Sequence, residues 1–160
     1  MKKQLGYALL AGAAAALAAP AQAQMVTASK PETVIKALQA EGYAAKLEKD
    51  GEGDPMIVSS ADGVPFRVHF YGCTGGKDCA TVQFSAGYDR EGETPLTLIN
   101  DWNRDKRFGR AFLDKEGDPY LQMDVDLDGG GVSNALFVDN FEFWVTIKQG
   151  FEKHIGWGEK

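Results

Sequence analysis

The sequence has few of the residues that carry most enzyme and metal chemistry. It holds two histidines and two cysteines in 160 residues, whereas a structural zinc site needs four such ligands close together. Neither a Gly-x-Ser-x-Gly motif nor a phosphate-binding P-loop occurs in it. We therefore expect no catalytic residues and no cofactor. An enzyme without a recognisable motif is the alternative that only activity screening would reveal.

Positive charge is also scarce. The chain has 17 lysines and arginines against 23 aspartates and glutamates, a net charge of −6, which would become −8 if Lys2 and Lys3 were removed. A protein this acidic repels nucleic acid and anionic lipid surfaces, so neither is expected as a partner. No long linker or low-complexity segment divides the chain after its N-terminal segment, which indicates one domain.

The N-terminus carries the three parts of a secretory leader in order. Lys2 and Lys3 are followed by an alanine-rich apolar segment, residues 5–19, and then by the small-residue pattern 21–23. The apolar segment is shorter than the roughly 20 residues that span a bilayer. We expect residues 1–23 to be a signal peptide cleaved after Ala23. Residues 24–160 are then a periplasmic or secreted domain without a membrane anchor.

The two cysteines lie in the segment FYGCTGGKDCATVQF, residues 70–84. Cys73 and Cys79 are separated by a glycine-rich loop between two strand-like runs, which is typical of a hairpin. A redox site would have the spacing Cys-x-x-Cys, and a zinc site would need further ligands. In an oxidising compartment the pair is expected to form a disulfide, which by loop closure contributes roughly 2–2.5 kcal/mol.

The hydrophobic pattern predicts the order α-β-β-β-β-α-β-β-α. The helices are expected at about 31–41, from residue 95, and at about 133–154. The tetrapeptide Glu-Gly-Asp-Pro occurs at 52–55 and again at 116–119, each time between two strand-like runs, which indicates a turn. This order predicts a single α+β domain, with a mainly antiparallel sheet and helices packed on one face.

Three segments together resemble a known family. They are the cysteine hairpin, the central DWNRDKRFGRAFLDKEGDPYLQMDVDL and the FEFW of the last helix. From about residue 27 to 155 the chain resembles the YbjN-domain family of bacterial sensory transduction regulators. The resemblance implies a fold like that of type III secretion chaperones, a module that commonly dimerises and holds protein segments. It implies no catalytic residues, and it makes a homodimer a possible state.

The last helix is apolar over more than half of its circumference. A helix packed on one sheet needs an apolar stripe only a little over 100° wide. The surplus predicts a second contact, with the first helix, with another protomer or with a client protein, and Lys148 within the stripe argues against full burial. The candidate partner-binding residues are Phe137, Phe141, Trp144 and Phe151.

Asp124, Asp126 and Asp128 match the first half of a calcium-binding loop. The second half does not match, because Ala135 stands where the loop requires a glutamate. The structural interpretation is a strand whose apolar residues face inward and whose aspartates face solvent. A weak cation site and a plain strand edge are both left open.

The expected function is therefore that of an exported, non-enzymatic module that binds a protein or peptide, in a regulatory or chaperone-like role. The alternative is a weak calcium-binding regulator of the cell envelope that uses Asp124, Asp126 and Asp128. The sequence does not name the partner.

Overall fold

The structure is a computed structural model that describes residues 24–90 and 92–158. The expected signal peptide, residues 1–23, lies outside the described residues. Within these, the chain forms helices α1 (Pro31–Ala40), α2 (Leu96–Asp105) and α3 (Asn134–His154). The strands are β1 (Met25–Val26), β2 (Ala45–Lys49), β3 (Pro55–Ala61), β4 (Val64–Tyr71), β5 (Thr81–Gly87), β6 (Arg110–Leu113), β7 (Pro119–Asp126) and β8 (Val132–Ser133). Apart from the two-residue strands β1 and β8, the predicted order is confirmed.

Six strands form one antiparallel sheet in the order β2-β3-β4-β5-β7-β6. Alternation of apolar and polar residues gives this sheet two different faces. Along β4, Phe66, Val68 and Phe70 are buried, whereas the intervening Arg67 is exposed. Successive side chains of a strand point to opposite faces, so the helices cover the apolar face alone. The predicted single α+β domain with helices on one face is confirmed.

Helix α3 supplies the largest side chains of the core. Ser133 caps its N-terminus, where the N–H of Leu136 donates a hydrogen bond of 3.3 Å to Ser133 Oγ. The indole of Trp144 stacks on Phe84 of β5 with ring centres 5.6 Å apart, and Phe66 of β4 lies 6.0 Å from the same indole. Among the described residues no helix, α3 included, is long and apolar enough to cross a membrane.

The segments around α1 and α2 contact α3 from two sides. Tyr43, which follows α1, meets the ring of Phe141 edge-on at 4.7 Å. Trp102 of α2 meets the ring of Phe151 at 5.0 Å. Because the sheet and both flanking segments contact α3, most of its wide apolar stripe is buried within one molecule.

The two copies of Glu-Gly-Asp-Pro, 52–55 and 116–119, form the turns β2–β3 and β6–β7. The side chain of Asp50 accepts hydrogen bonds of 3.0 and 2.9 Å from two backbone N–H groups of the first turn. Asp114 accepts two of the same lengths in the second. The glycine of each copy has φ of +90°, a conformation that favours glycine. The prediction of turn chemistry at both copies is confirmed.

Strands β1 and β8 form a separate two-stranded sheet beside the start of α3. Met25 pairs with Ser133 and Val26 with Val132. Gly131 allows this close approach, since a Cβ atom at that position would collide with the carbonyl of Val26. Strands of two residues have no period that a sequence pattern could reveal.

Candidate functional site: the open face of the sheet

The aromatic side chains of α3 that the sequence offered as partner-binding residues lie in the core. None of the four is more than 1 % exposed, because the sheet, α1 and α2 enclose α3. They are Phe137, Phe141, Trp144 and Phe151. The exposed apolar residues of α3 are instead Leu136 and Phe143, and the ring of Phe143 packs on Phe108 at 5.3 Å.

Lys148, expected to prevent full burial of α3, is itself fully buried. Its Nζ lies 2.6 Å from Glu152 Oε1 and donates to the carbonyl of Ala61 at 3.2 Å. The hydroxyl of Tyr88 donates to the same Glu152 oxygen at 3.2 Å, and burial followed by the Glu152 charge raises the pKa of Tyr88. The spacing of Lys148 and Glu152, one helical turn apart, was the sequence signal for this pair.

The other face of the sheet is covered by none of the three helices. We call this surface the open face. It presents side chains from all six strands, at positions that alternate with core residues. Lys46, Glu48, Met56 and Val58 are those of β2 and β3, and the candidate site is formed by the side chains of β4, β5, β7 and β6. These side chains are Arg67, His69, Tyr71, Gln83, Ser85, Tyr120, Gln122, Asp124, Arg110 and Phe112.

One row of the open face runs across the whole sheet, from Lys46 on β2 and Val58 on β3 through these four strands. Arg67 lies opposite Ser85, Ser85 opposite Gln122 and Gln122 opposite Arg110. With strands about 4.8 Å apart, the part of the row from Arg67 to Arg110 is about 14 Å long. The guanidinium of Arg110 donates to Gln122 Oε1, whereas Arg67 makes no ion pair with the described residues. Arg67 therefore offers a positive charge that no ion pair among the described residues compensates.

Aromatic rings flank the β6 end of this row. Phe112 and Tyr120 stack with ring centres 5.4 Å apart, and the guanidinium of Arg110 lies 5.1 Å from the centre of the Phe112 ring. The ring of Tyr120 covers Gly87, where a Cβ atom would overlap it. A hollow of about 470 Å³ adjoins these rings and extends to Arg67. This is a shallow surface with a rigid aromatic side.

A chain of hydrogen bonds crosses the opposite side of the open face. Tyr71 donates to Gln83 Oε1 at 3.4 Å, and Gln83 Nε2 donates to Asp124 Oδ1 at 2.7 Å. Burial, reinforced by nearby carboxylates, raises the pKa of Tyr71, while burial and then Arg67 lower the pKa of His69. Both shifts favour the neutral form of the group at pH 7, in which each side chain can donate and accept a hydrogen bond.

Asp124, Asp126 and Asp128 do not form a common cation site. Asp124 accepts the hydrogen bond from Gln83, Asp126 accepts one of 2.9 Å from the N–H of Asp128, and Asp128 accepts one of 2.8 Å from the next N–H. Across the described ranges, no group of three or more acidic, histidine or cysteine side chains is arranged around a metal position. The alternating residues Met123, Val125 and Leu127 point into the core, as the strand interpretation predicted.

The sulfur atoms of Cys73 and Cys79 are 2.07 Å apart, at bonding distance. This geometry agrees with the predicted bridge across the β4–β5 connection. The loop inside the bridge lies against the β2–β3 turn, where a Cβ atom at Gly76 would be 3.1 Å from the carbonyl of Gly53. A cleft of about 610 Å³ separates this loop from β2 and the start of α1.

Comparison with known proteins identifies the family of this chain. Residues 30–157 match the model of the family YbjN, described as "Putative bacterial sensory transduction regulator". The chain belongs to the YbjN family. No curated protein matches it.

The Trp-Asn pair of this YbjN domain has a structural role. Trp102 Nε1 donates to the carbonyl of Gly109 at 3.0 Å. The side-chain amide of Asn103 makes two hydrogen bonds to Ala111. Asn103 Nδ2 donates to the carbonyl of Ala111 at 2.9 Å, and the N–H of Ala111 donates to Asn103 Oδ1 at 2.9 Å. Both residues of the pair thus fix the path of β6 and leave the open face of the YbjN domain to other side chains.

The sequence pattern placed Arg67, Phe112 and Tyr120 on strands but did not nominate them as a site. Outward residues of an antiparallel sheet normally face solvent, so alternation alone gives no reason to single them out. The available signal was chemical: arginine and aromatic residues at outward strand positions are the types enriched in protein interfaces.

Proposed function

We propose that this YbjN protein is an exported, non-enzymatic regulator that binds a protein segment on its open face. One observation carries the proposal: the row from Arg67 to Arg110, with the stacked pair Phe112 and Tyr120 beside it, lies on the face that no helix covers. A sheet face that serves only solubility has no need of stacked aromatic rings or an uncompensated arginine. Arginine and aromatic side chains are the typical anchors of protein interfaces.

The dimensions and charge of the row favour an extended segment. A row of about 14 Å accommodates about four residues of extended chain, at about 3.3 Å per residue. An acidic side chain of the segment would pair with Arg67, and an apolar or aromatic one would contact Phe112 and Tyr120. Gln122, between these two residue groups, offers hydrogen-bonding groups to its backbone.

Regulation and export have separate support. The family description supports a regulatory role, and the leader pattern of residues 1–23 supports export. The bonded geometry of Cys73 and Cys79 agrees with an oxidising compartment. The intact mass of protein purified from its natural producer tests export and the disulfide: we expect residues 1–23 to be missing and both thiols to resist alkylation.

Photocrosslinking in intact cells tests the binding surface. A photoreactive residue replaces Gln122 in the centre of the row, and in a matched control it replaces Lys153 on the exposed side of α3. We expect a discrete protein adduct from position 122 and none from 153, and loss of that adduct when Arg67→Glu is added. Equal adducts from both positions, or one that survives Arg67→Glu, would contradict the proposal.

A further inference from the structure

The two edges of the six-stranded sheet differ in their hydrogen bonding. Edge strand β6 is blocked at Ala111, because the side chain of Asn103 binds both the N–H and the C=O that this residue directs away from the sheet. Edge strand β2 has no such partner: its outward backbone groups make no hydrogen bond to another described residue. An unpaired edge is a template for another strand.

The repeated turn allows the two edges to be compared residue by residue. Aligning Asp50 with Asp114 places Leu47 at the position of Ala111 and Gln39 at the position of Asn103. Gln39 is exposed, and its side chain makes no hydrogen bond within residues 24–90 and 92–158. The device that blocks β6 is therefore missing at β2.

The hairpin geometry shows which groups of β2 are unpaired. The N–H of Asp50 donates to the carbonyl of Asp54 at 3.0 Å, so this residue pair is hydrogen-bonded. Hydrogen-bonded and non-bonded pairs alternate along an antiparallel ladder, and the next pair contains Pro55, which has no N–H to donate. Three residues thus direct their N–H and C=O away from β3: Ala45, Leu47 and Lys49.

We propose that two copies of this chain associate by antiparallel pairing of their β2 strands, centred on Leu47. In this register Leu47 lies opposite the partner's Leu47, and Ala45 lies opposite the partner's Lys49. Each of these pairs joins two residues whose N–H and C=O point outward. The two residues of each pair can therefore exchange hydrogen bonds, as in a regular antiparallel ladder. The association does not depend on what binds the open face.

The charges of β2 complement one another in this register. Lys46 lies opposite the partner's Glu48, and Glu48 lies opposite the partner's Lys46. Within one chain the two already interact, with Lys46 Nζ 2.7 Å from Glu48 Oε1. The neighbouring registers with the same phase are centred on Lys46 or Glu48 and place like charges directly opposite, which is unfavourable. The sequence of the strand therefore specifies one register.

The edge is also accessible. The side chain of Leu47 is 44 % exposed, large for an apolar residue next to the core. It lines the 610 Å³ cleft together with Lys49 and the first residues of α1, Pro31 and Glu32. Pairing would bury Leu47 against its counterpart, which favours association through the hydrophobic effect.

Charge reversal and its repair test the register. Sedimentation velocity of the purified protein should show a dimer, and Lys46→Glu or Glu48→Lys should each weaken dimerisation by about tenfold. The double variant Lys46→Glu/Glu48→Lys restores opposite charges and should dimerise like the wild type. Lys36→Glu, an equal change of charge on the exposed side of α1, serves as the control and should have no effect.

A proline substitution distinguishes loss of the β2 edge from loss of the fold. Leu47→Pro removes an N–H that the single chain does not use, and proline is tolerated on edge strands; the variant should stay folded by circular dichroism and be monomeric. Three results would overturn the proposal: a wild type that is monomeric at high micromolar concentration, single reversals that leave the dimer unchanged, or a double variant that does not recover it.

Discussion

The ammonium group of Lys148 lies 2.6 Å from the carboxylate of Glu152 in the interior between α3 and the sheet. The carbonyl of Ala61 and the hydroxyl of Tyr88 complete the network. The charge of the lysine that interrupts the apolar stripe of α3 is therefore compensated by buried groups, and Lys148 can lie on the buried side of the helix with Phe141, Trp144 and Phe151.

We predict that Lys148→Met lowers the free energy of unfolding by about 3 kcal/mol, since removing one partner of a buried pair leaves the other charge uncompensated. Urea denaturation measures the change. The double variant Lys148→Met/Glu152→Leu replaces the pair by apolar groups and should recover most of the loss. If the double variant is no more stable than the single one, the pair is not the cause.

We predict that Asn103→Ala destabilises the domain by about 1–3 kcal/mol, because the N–H and C=O of Ala111 lose their partners. Thermal unfolding followed by circular dichroism measures this effect. The neighbouring variant Arg104→Ala removes only exposed ion pairs with Asp101 and Asp105 and should change stability by less than about 0.5 kcal/mol. Equal effects of the two variants would contradict the role assigned to Asn103.

His69 should make the domain less stable in mild acid. Burial and Arg67 lower its pKa in the folded state, so the unfolded chain takes up a proton more readily, and stability falls as pH drops through the unfolded pKa of about 6.5. Between about pH 7 and pH 5, His69→Gln should therefore lose less unfolding free energy than the wild type. Arg67→Gln should raise the pKa of His69 in an NMR titration, and an unchanged value would exclude the charge effect.

Calcium should not bind at the aspartates of β7. Asp124, Asp126 and Asp128 are each engaged in local hydrogen bonds and do not converge. Isothermal titration at millimolar calcium, the weakest range of natural calcium sites, should give no heat and no change in melting temperature. A heat signal that disappears in Asp126→Asn would show that the strand rearranges around the ion.

The order of the main elements could be predicted because each has a clear period. The alternation along β4 and β7 and the long apolar stripe of α3 define strands and a helix without further information. The repeated Glu-Gly-Asp-Pro predicted two turns on a different ground, because its glycine and proline have specific backbone preferences.

The candidate site could not be predicted in the same way. The pattern of α3 shows that Phe141 and Trp144 need cover, but not whether α1, α2 or another protein supplies it. Likewise, alternation places Arg67 and Tyr120 on the outward face without showing that they stand beside the same hollow. The hydrogen bonds of Asn103 depend on how α2 approaches β6, which is a tertiary contact without local periodicity.

In the six-residue turn that begins at Asp50 and again at Asp114, the side chain and the carbonyl of that aspartate accept hydrogen bonds from three N–H groups of the turn. The final proline of the turn pairs with Lys49 in the first hairpin and with Leu113 in the second, at a position where the two paired residues exchange no backbone hydrogen bonds. The segment D-x-E-G-D-P is thus stabilised by its own hydrogen bonds. Placed between the strands of an unrelated antiparallel hairpin, it should form the same turn without contacts from the rest of that protein.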